Sequence, residues 1–138
     1  MKFLKNFLVG LLILFSFHGF SQGTKDVKNN YVVLTQKIPQ LKPILLTAES
    51  LKKEDGTAFG DFQIIICGKN IEDITHPEKI EEFIEQASKL RVQIVACGFS
   101  LKKFNIDEKK VPGQIKIVKN GILYDLQLQK KGYFSLSL

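Results

Sequence analysis

The feature that most limits what this chain can fold into is a pair of short segments that stay apolar at successive positions. Phe62 to Cys67 carries Ile64-Ile65-Ile66 at its centre, and Val92 to Cys97 ends in Ile94-Val95-Ala96-Cys97. A strand with one wet face alternates apolar and polar residues. A strand apolar at consecutive positions must be covered on both faces, which is the condition of a central strand in a parallel sheet. A parallel sheet in turn needs a crossover, usually a helix, after each strand.

The rest of the chain supplies those crossovers. Tyr31 to Leu34 is apolar and β-branched and predicts a first strand. Pro39 and Pro43 precede a helix that buries Ile44, Leu45, Ala48 and Leu51, one face by helical spacing. Lys52 to Gly60 is expected to be a loop. Thr75-His76-Pro77-Glu78 has proline just inside a helix start and an acid in the first turn, and Ile80, Phe83, Ile84, Ala87 and Leu90 follow at helical spacing. After the second apolar strand comes a short amphipathic stretch with Leu101 and Phe104, then a turn at Val111-Pro112-Gly113. Ile115 to Val118 predicts a strand. Asn120-Gly121 opens a helix through Ile122, Leu123, Leu126 and Leu128 that Gly132 ends, and Tyr133 to Leu138 alternates like a half-exposed last strand. Strands and helices thus alternate throughout, which predicts a three-layer α/β/α sandwich with about five mostly parallel strands.

The N-terminal segment stands apart from that pattern. Lys2 and Lys5 flank a short basic start, Phe7 to Phe17 is almost unbroken apolar sequence, and Gly19-Phe20-Ser21 supplies small residues before Gln22. This is the layout of a cleavable signal peptide over residues 1–21, and the run is short for a membrane-spanning helix. The expected organisation is therefore a leader (1–21), a flexible polar lead-in (22–30) and one α/β domain (31–138). The expected location is the periplasm or the exterior, with no membrane association after cleavage.

Loss of Lys2 and Lys5 lowers the formal charge from +6 to +4. The remaining lysines are interleaved with acids, as in Lys52-Lys53-Glu54-Asp55, and no basic stripe carries stacking aromatics. Nucleic acid is not an expected partner. Beyond the leader the chain holds one histidine, His76, and two cysteines, too few good ligands for a structural zinc site. No glycine-rich phosphate loop is present, and no metal or cofactor is expected. His76, beside Pro77 at a helix start, is expected to face solvent.

The candidates for chemistry are the two cysteines. Both apolar strands end alike, Ile65-Ile66-Cys67-Gly68 and Val95-Ala96-Cys97-Gly98. In open α/β sheets ligands gather at the C-terminal ends of the strands, so both thiols belong to one functional edge. Glycine after each cysteine permits a sharp turn and close access. Cys97 leads into a helix start with Lys102 and Lys103 close behind, surroundings that favour the thiolate, the nucleophilic form of the group. Cys67 leads into the longer loop Lys69–Thr75 and lacks that activation. Against both stands the ordinary role of cysteine as a small buried apolar residue. Ser100 is expected to cap the helix after Cys97.

From Gly60 onward the chain resembles the DsrE/DsrF-like family of small sulfur-relay proteins. The likeness rests on Ala96-Cys97-Gly98-Phe99-Ser100-Leu101, Val111-Pro112-Gly113, the strand Ile115-Lys116-Ile117-Val118 and the ending Leu126-Gln127-Leu128-Gln129-Lys130-Lys131-Gly132-Tyr133. The resemblance implies a five-stranded parallel α/β/α fold, homo-oligomers, and a cysteine at the position of Cys97 that takes up sulfur as a persulfide from a donor protein and passes it to an acceptor. The export signal is a departure, because sulfur-relay members work in the cytoplasm.

Three functions follow as expectations. The first is a sulfur carrier or transferase acting through Cys97. The second is a non-enzymatic binding or assembly module in which Tyr124 and Leu128, off the Leu123/Leu126 face, help bury an oligomer interface. The third is thiol redox chemistry between Cys67 and Cys97. Neighbouring parallel strands lie about 4.8 Å apart, inside the disulfide range of roughly 4.4–6.8 Å, but side-chain direction decides whether the bond is feasible.

Overall fold

A computed structural model describes residues 25–138, so the expected leader over residues 1–21 lies outside the described residues. Strand β1 (Asn29–Thr35) is followed by α1 (Leu41–Asp55), β2 (Phe59–Ile66), a 3-10 segment (Lys69–Thr75), α2 (Pro77–Leu90), β3 (Val92–Cys97) and the six-residue α3 (Gly98–Lys103). The chain closes with β4 (Lys116–Val118), α4 (Gly121–Lys130) and β5 (Phe134–Ser137). All strands are parallel, in the order β4-β3-β2-β1-β5. The expected α/β sandwich is what the chain forms.

Topology follows from handedness. The chain steps outward from β1 to β4, so right-handed crossovers hold their helices on one face. The return from β4 to β5 runs in the opposite direction and carries α4 over the other face. The side chains agree. Tyr31, paired with Phe62, sends its hydroxyl to Asp55 at the end of α1 (2.7 Å), whereas Gln63, one residue on and facing the other way, accepts from Tyr124 of α4 (2.8 Å).

Cover on both faces explains why Ile64, Ile65 and Ile66 are all fully buried, together with Ile94, Val95 and Ala96. Burying one such side chain contributes about 1.5–3 kcal/mol, so these two strands are a large source of apolar stabilisation. Below them α1 buries Leu41, Ile44, Leu45 and Ala48, and α2 buries Ile80 and Ala87.

Several boundaries differ from expectation. Strand β1 begins at Asn29, inside the expected lead-in, because Asn29 already pairs with Phe59. Helix α1 continues to Asp55 and β2 starts at Phe59, so the expected loop from Lys52 shrinks to a single 3-10 turn, Gly56–Ala58. The last strand is exposed at every position instead of half-exposed, since it is the sheet's edge beyond β1, held by the ladder to β1 and by stacking of Phe134 on Tyr31 at 5.5 Å.

Helix α4 turns the opposite way from the expected one. Its inward stripe is Gly121, Tyr124, Asp125 and Leu128, while Ile122, Leu123 and Leu126 are exposed. Leu128 is buried against its own sheet and so is not available to an interface between subunits, while Tyr124 is half-buried there. The reason lies in what the inward stripe contacts. Gly121 meets two cysteines, and Asp125 accepts from Ser135 of β5 and Gln129. Polar partners on the sheet let a glycine and an aspartate occupy positions that hydropathy assigns to leucine.

Candidate functional site

The C-terminal ends of β2, β3 and β4 converge on the two cysteines. Cys97 is the last residue of β3, and Cys67 follows the last residue of β2, one step beyond the Ile66–Ala96 pair. The Cys67 amide donates to the Thr35 carbonyl (3.0 Å), which prolongs the β1–β2 ladder past the strand end and fixes the cysteine in the plane of the sheet. Gly68 then adopts φ of +88°, a left-handed backbone that suits glycine and turns the chain away at once. Gly98, by contrast, is helical, and its small size is needed because a Cβ there would lie 2.8 Å from the Val118 carbonyl oxygen.

Three hydrogen bonds tie the departing segments together. The Phe99 amide donates to the Lys119 carbonyl (2.8 Å), joining α3 to the segment after β4. The Gly68 amide donates to Ser100 Oγ (3.0 Å), joining the segment after β2 to α3. The Gly121 amide donates to Cys97 Sγ (3.2 Å). This last contact completes the start of α4. Asn120 Oδ1 accepts from the amides of Ile122 (3.0 Å) and Leu123 (3.2 Å), and the sulfur accepts from Gly121. The amides that a helix start leaves without intrahelical partners are thus shared between an asparagine cap and a thiol.

Only glycine fits at position 121. A Cβ there would stand 2.6 Å from Cys67 Sγ, 2.8 Å from Ile65 Cγ2 and 3.1 Å from Cys97 Cβ. The same point in space borders both cysteines, so their side chains project to the same face, the α4 side of the sheet. The direction left open by the sequence is settled. Both residues are free thiols and both are buried.

The two sulfurs are electrostatically unlike. Burial pushes the Cys97 thiol up, but the Ser100 hydroxyl, the Gly121 amide, the Ser100 amide and the Cys67 thiol together outweigh it, and the group falls below its ordinary value. Of these neighbours the Gly121 amide makes the full hydrogen bond, and the others add partial positive charge around the sulfur. The Ser100 oxygen already accepts from Gly68, which leaves its own hydrogen for the cysteine side. Cys67 moves the other way. Burial comes first, then the neighbouring Cys97 and Asp125, and its thiol is pushed up to about 12. The arrangement holds a thiolate-prone sulfur next to one that stays protonated, the division of labour used by reactive cysteine pairs.

The activation expected from the helix start has a counterpart in the Ser100 amide, one of the groups that lower the Cys97 thiol. Lys102 and Lys103 are exposed and neither is among the strongest influences on the thiol; Lys103 lies over the Phe104 ring, 5.7 Å from its centroid. Ser100 is not a helix cap. The cap position is Cys97 itself, and Ser100 is a site residue. Gly121 was legible only as a turn signal beside Asn120, since no local pattern reveals that its amide meets a strand 24 residues earlier. His76 stays apart, at the start of α2, 43% exposed and 3.6 Å from Glu78.

A depression of about 280 Å³ gives access to the pair, with Gln36, Gly68, Phe99, Lys103, Asn120 and Ile122 among its walls. Phe99 and Ile122 are each 61% exposed at its rim.

Comparison with known proteins bears on the fold. No protein-family profile matches the chain, and no curated protein sequence matches it. Among solved structures, a protein of unknown function from Methanobacterium thermoautotrophicum is similar at a TM-score of 0.62 and 10% identity, over 80% of this chain and 99% of that one. A conserved protein of unknown function from Bacteroides thetaiotaomicron is similar at a TM-score of 0.59 and 17% identity, over 80% of this chain and 95% of that one. At these identities the likeness is one of fold.

Proposed function

We propose that this protein is an exported, DsrE-like sulfur carrier or transferase in which Cys97 is the acceptor. The observation that carries the reading is the Gly121 amide on Cys97 Sγ, in a pocket that only a glycine at 121 allows. An amide fixed on a sulfur stabilises negative charge there both before attack and after a persulfide has formed. Ser100 adds a second polar hydrogen, and the depression leads down to the buried sulfur while Phe99 and Ile122 offer an apolar rim to a partner.

The step balances without an external oxidant. Cys97 thiolate attacks the sulfane sulfur of a donor, a new S–S bond forms at Cys97, the donor's bond to that sulfur breaks, and the donor's remaining group leaves as an anion. The test uses benzenethiosulfonate, which gives up its sulfane sulfur and leaves as benzenesulfinate. Rapid alkylation and tryptic digestion separate the two cysteines, because Val92–Lys102 carries Cys97 and Glu54–Lys69 carries Cys67. In a Cys67→Ser variant the Cys97 peptide should gain about 32 Da beyond the alkyl group, the mass of one persulfide sulfur. A Cys67→Ser variant that takes no sulfur at Cys97 overturns the proposal.

The exposed row Ile122, Leu123 and Leu126 favours a homo-oligomer as the working form. Contiguous apolar surface of this kind commonly marks an interaction site.

A further inference from the structure

Resting on that reading, we infer that Cys67 is a resolving thiol, so that sulfur taken up by Cys97 leaves as hydrogen sulfide and the pair closes to a disulfide. The geometry comes first. The cysteines sit side by side on adjacent parallel strands in register, project to one face and border the same point next to Gly121. Adjacent strands lie about 4.8 Å apart, within the separation of roughly 4.4–6.8 Å that a disulfide spans. Both thiols line the same depression, so the second sulfur is present wherever a persulfide forms. A carrier meant only to hold and relay sulfur has no use for a second thiol within reach of the first, because it shortens the life of the cargo.

The chemistry balances. In the loaded state Cys97 bears S–SH and Cys67 bears SH. The Cys67 sulfur attacks Cys97 Sγ, the persulfide S–S bond breaks, and the outer sulfur departs with both hydrogens as hydrogen sulfide. A Cys67–Cys97 disulfide remains. The sulfane sulfur gains two electrons and each cysteine sulfur gives up one. The proton that burial holds on Cys67 passes to the departing sulfur as the new S–S bond forms, so the attacking sulfur is the thiolate and the sulfide leaves as hydrogen sulfide. An external dithiol resets the site by thiol–disulfide exchange.

The experiment treats the reduced protein with one equivalent of benzenethiosulfonate under anaerobic conditions, with no other thiol present. Sulfide is measured in the headspace and the protein by intact mass. Benzenesulfinate releases no sulfide, so any sulfide reports the second step. The wild type should release about one equivalent per chain and lose about 2 Da as its thiols pair, whereas Cys67→Ser and Cys67→Ala should hold the adduct of about 32 Da until dithiothreitol is added. A wild type that keeps a stable adduct on Cys97 overturns this inference and leaves the carrier reading intact. A disulfide formed without sulfide also overturns it. Absence of adduct, sulfide and disulfide from the wild type and both variants overturns the inference and the carrier reading together. Should the variants misfold, the wild-type sulfide yield and mass still decide.

Discussion

Gly121→Ala tests the core of the site most directly. The added methyl would lie 2.6 Å from Cys67 Sγ, 2.8 Å from Ile65 Cγ2 and 3.1 Å from Cys97 Cβ, all on buried residues in the middle of the sheet. None of these atoms is the far end of a flexible chain, so the helix must move. Overpacking of this kind costs about 1–3 kcal/mol. Gly121 is the first residue of α4, where alanine gains little of its interior helix advantage, so the net loss stays at about 1–3 kcal/mol. For a domain of this size that is a fall of roughly 4–12 °C in Tm. The chemical consequence is separate from the steric one. As α4 is displaced, its first amide leaves Cys97 Sγ, and burial, the largest influence on that thiol, is opposed by fewer groups. The rate of iodoacetamide alkylation of the Val92–Lys102 peptide should then reach half its plateau at a higher pH than in the wild type. Cys67→Ala in the same background removes the nearest clash and should restore part of the stability. If Gly121→Ala is as stable as the wild type and its alkylation midpoint is unchanged, the amide–sulfur contact is not what tunes Cys97.

Three further outcomes follow from the same geometry. Ser100→Ala should raise the alkylation midpoint of Cys97 and cost about 1–3 kcal/mol by leaving the Gly68 amide without its acceptor, whereas Lys102→Ala with Lys103→Ala should leave the midpoint where it is. Stability in urea should fall as pH rises from about 9 toward 12. The folded-state values of Cys67, Tyr31 and Tyr133 are each raised to about 12, from 9.0 for the thiol and 10.0 for the phenols, by burial first and then by Cys97, Asp55 and Asp61 respectively. Groups that stay protonated in the fold but ionise in the unfolded chain favour unfolding as protons are removed, and Tyr133→Phe should flatten the decline; a stability that holds level to pH 12 contradicts this. Leu126→Glu, on the outward face of α4, should lower the mass measured by sedimentation if that face joins subunits, and should leave the unfolding free energy of the single chain within about 0.5 kcal/mol of wild type.

Much of the architecture is legible in the sequence because it depends on short-range periodicity and on rules of chain handedness. The Ile64–Ile66 and Ile94–Cys97 runs demand cover on both faces, and the amphipathic segments between them supply it. Gly132, at φ of +90°, stops α4 where a glycine is expected to. The edge strand is a different matter. Alternation at Phe134, Leu136 and Leu138 signals one buried face, but burial depends on whether a neighbour covers that face, and the sequence of a strand does not encode its place in the sheet.

By itself the sequence determined that two strands end in cysteine and that both ends lie on one edge of an α/β sheet. Only the tertiary structure decided what those cysteines are. The return of the chain from β4 to the far side of β1 brings α4 over the sheet and lays the Gly121 amide on a sulfur that precedes it by 24 residues. That contact, with Ser100 and Cys67, pulls the Cys97 thiol below its ordinary value, while burial pushes the Cys67 thiol up. Lys102 and Lys103, close behind Cys97 in sequence, are exposed and not among its strongest influences, because hydrogen-bonding groups act over a few ångströms and proximity along the chain does not guarantee proximity in space.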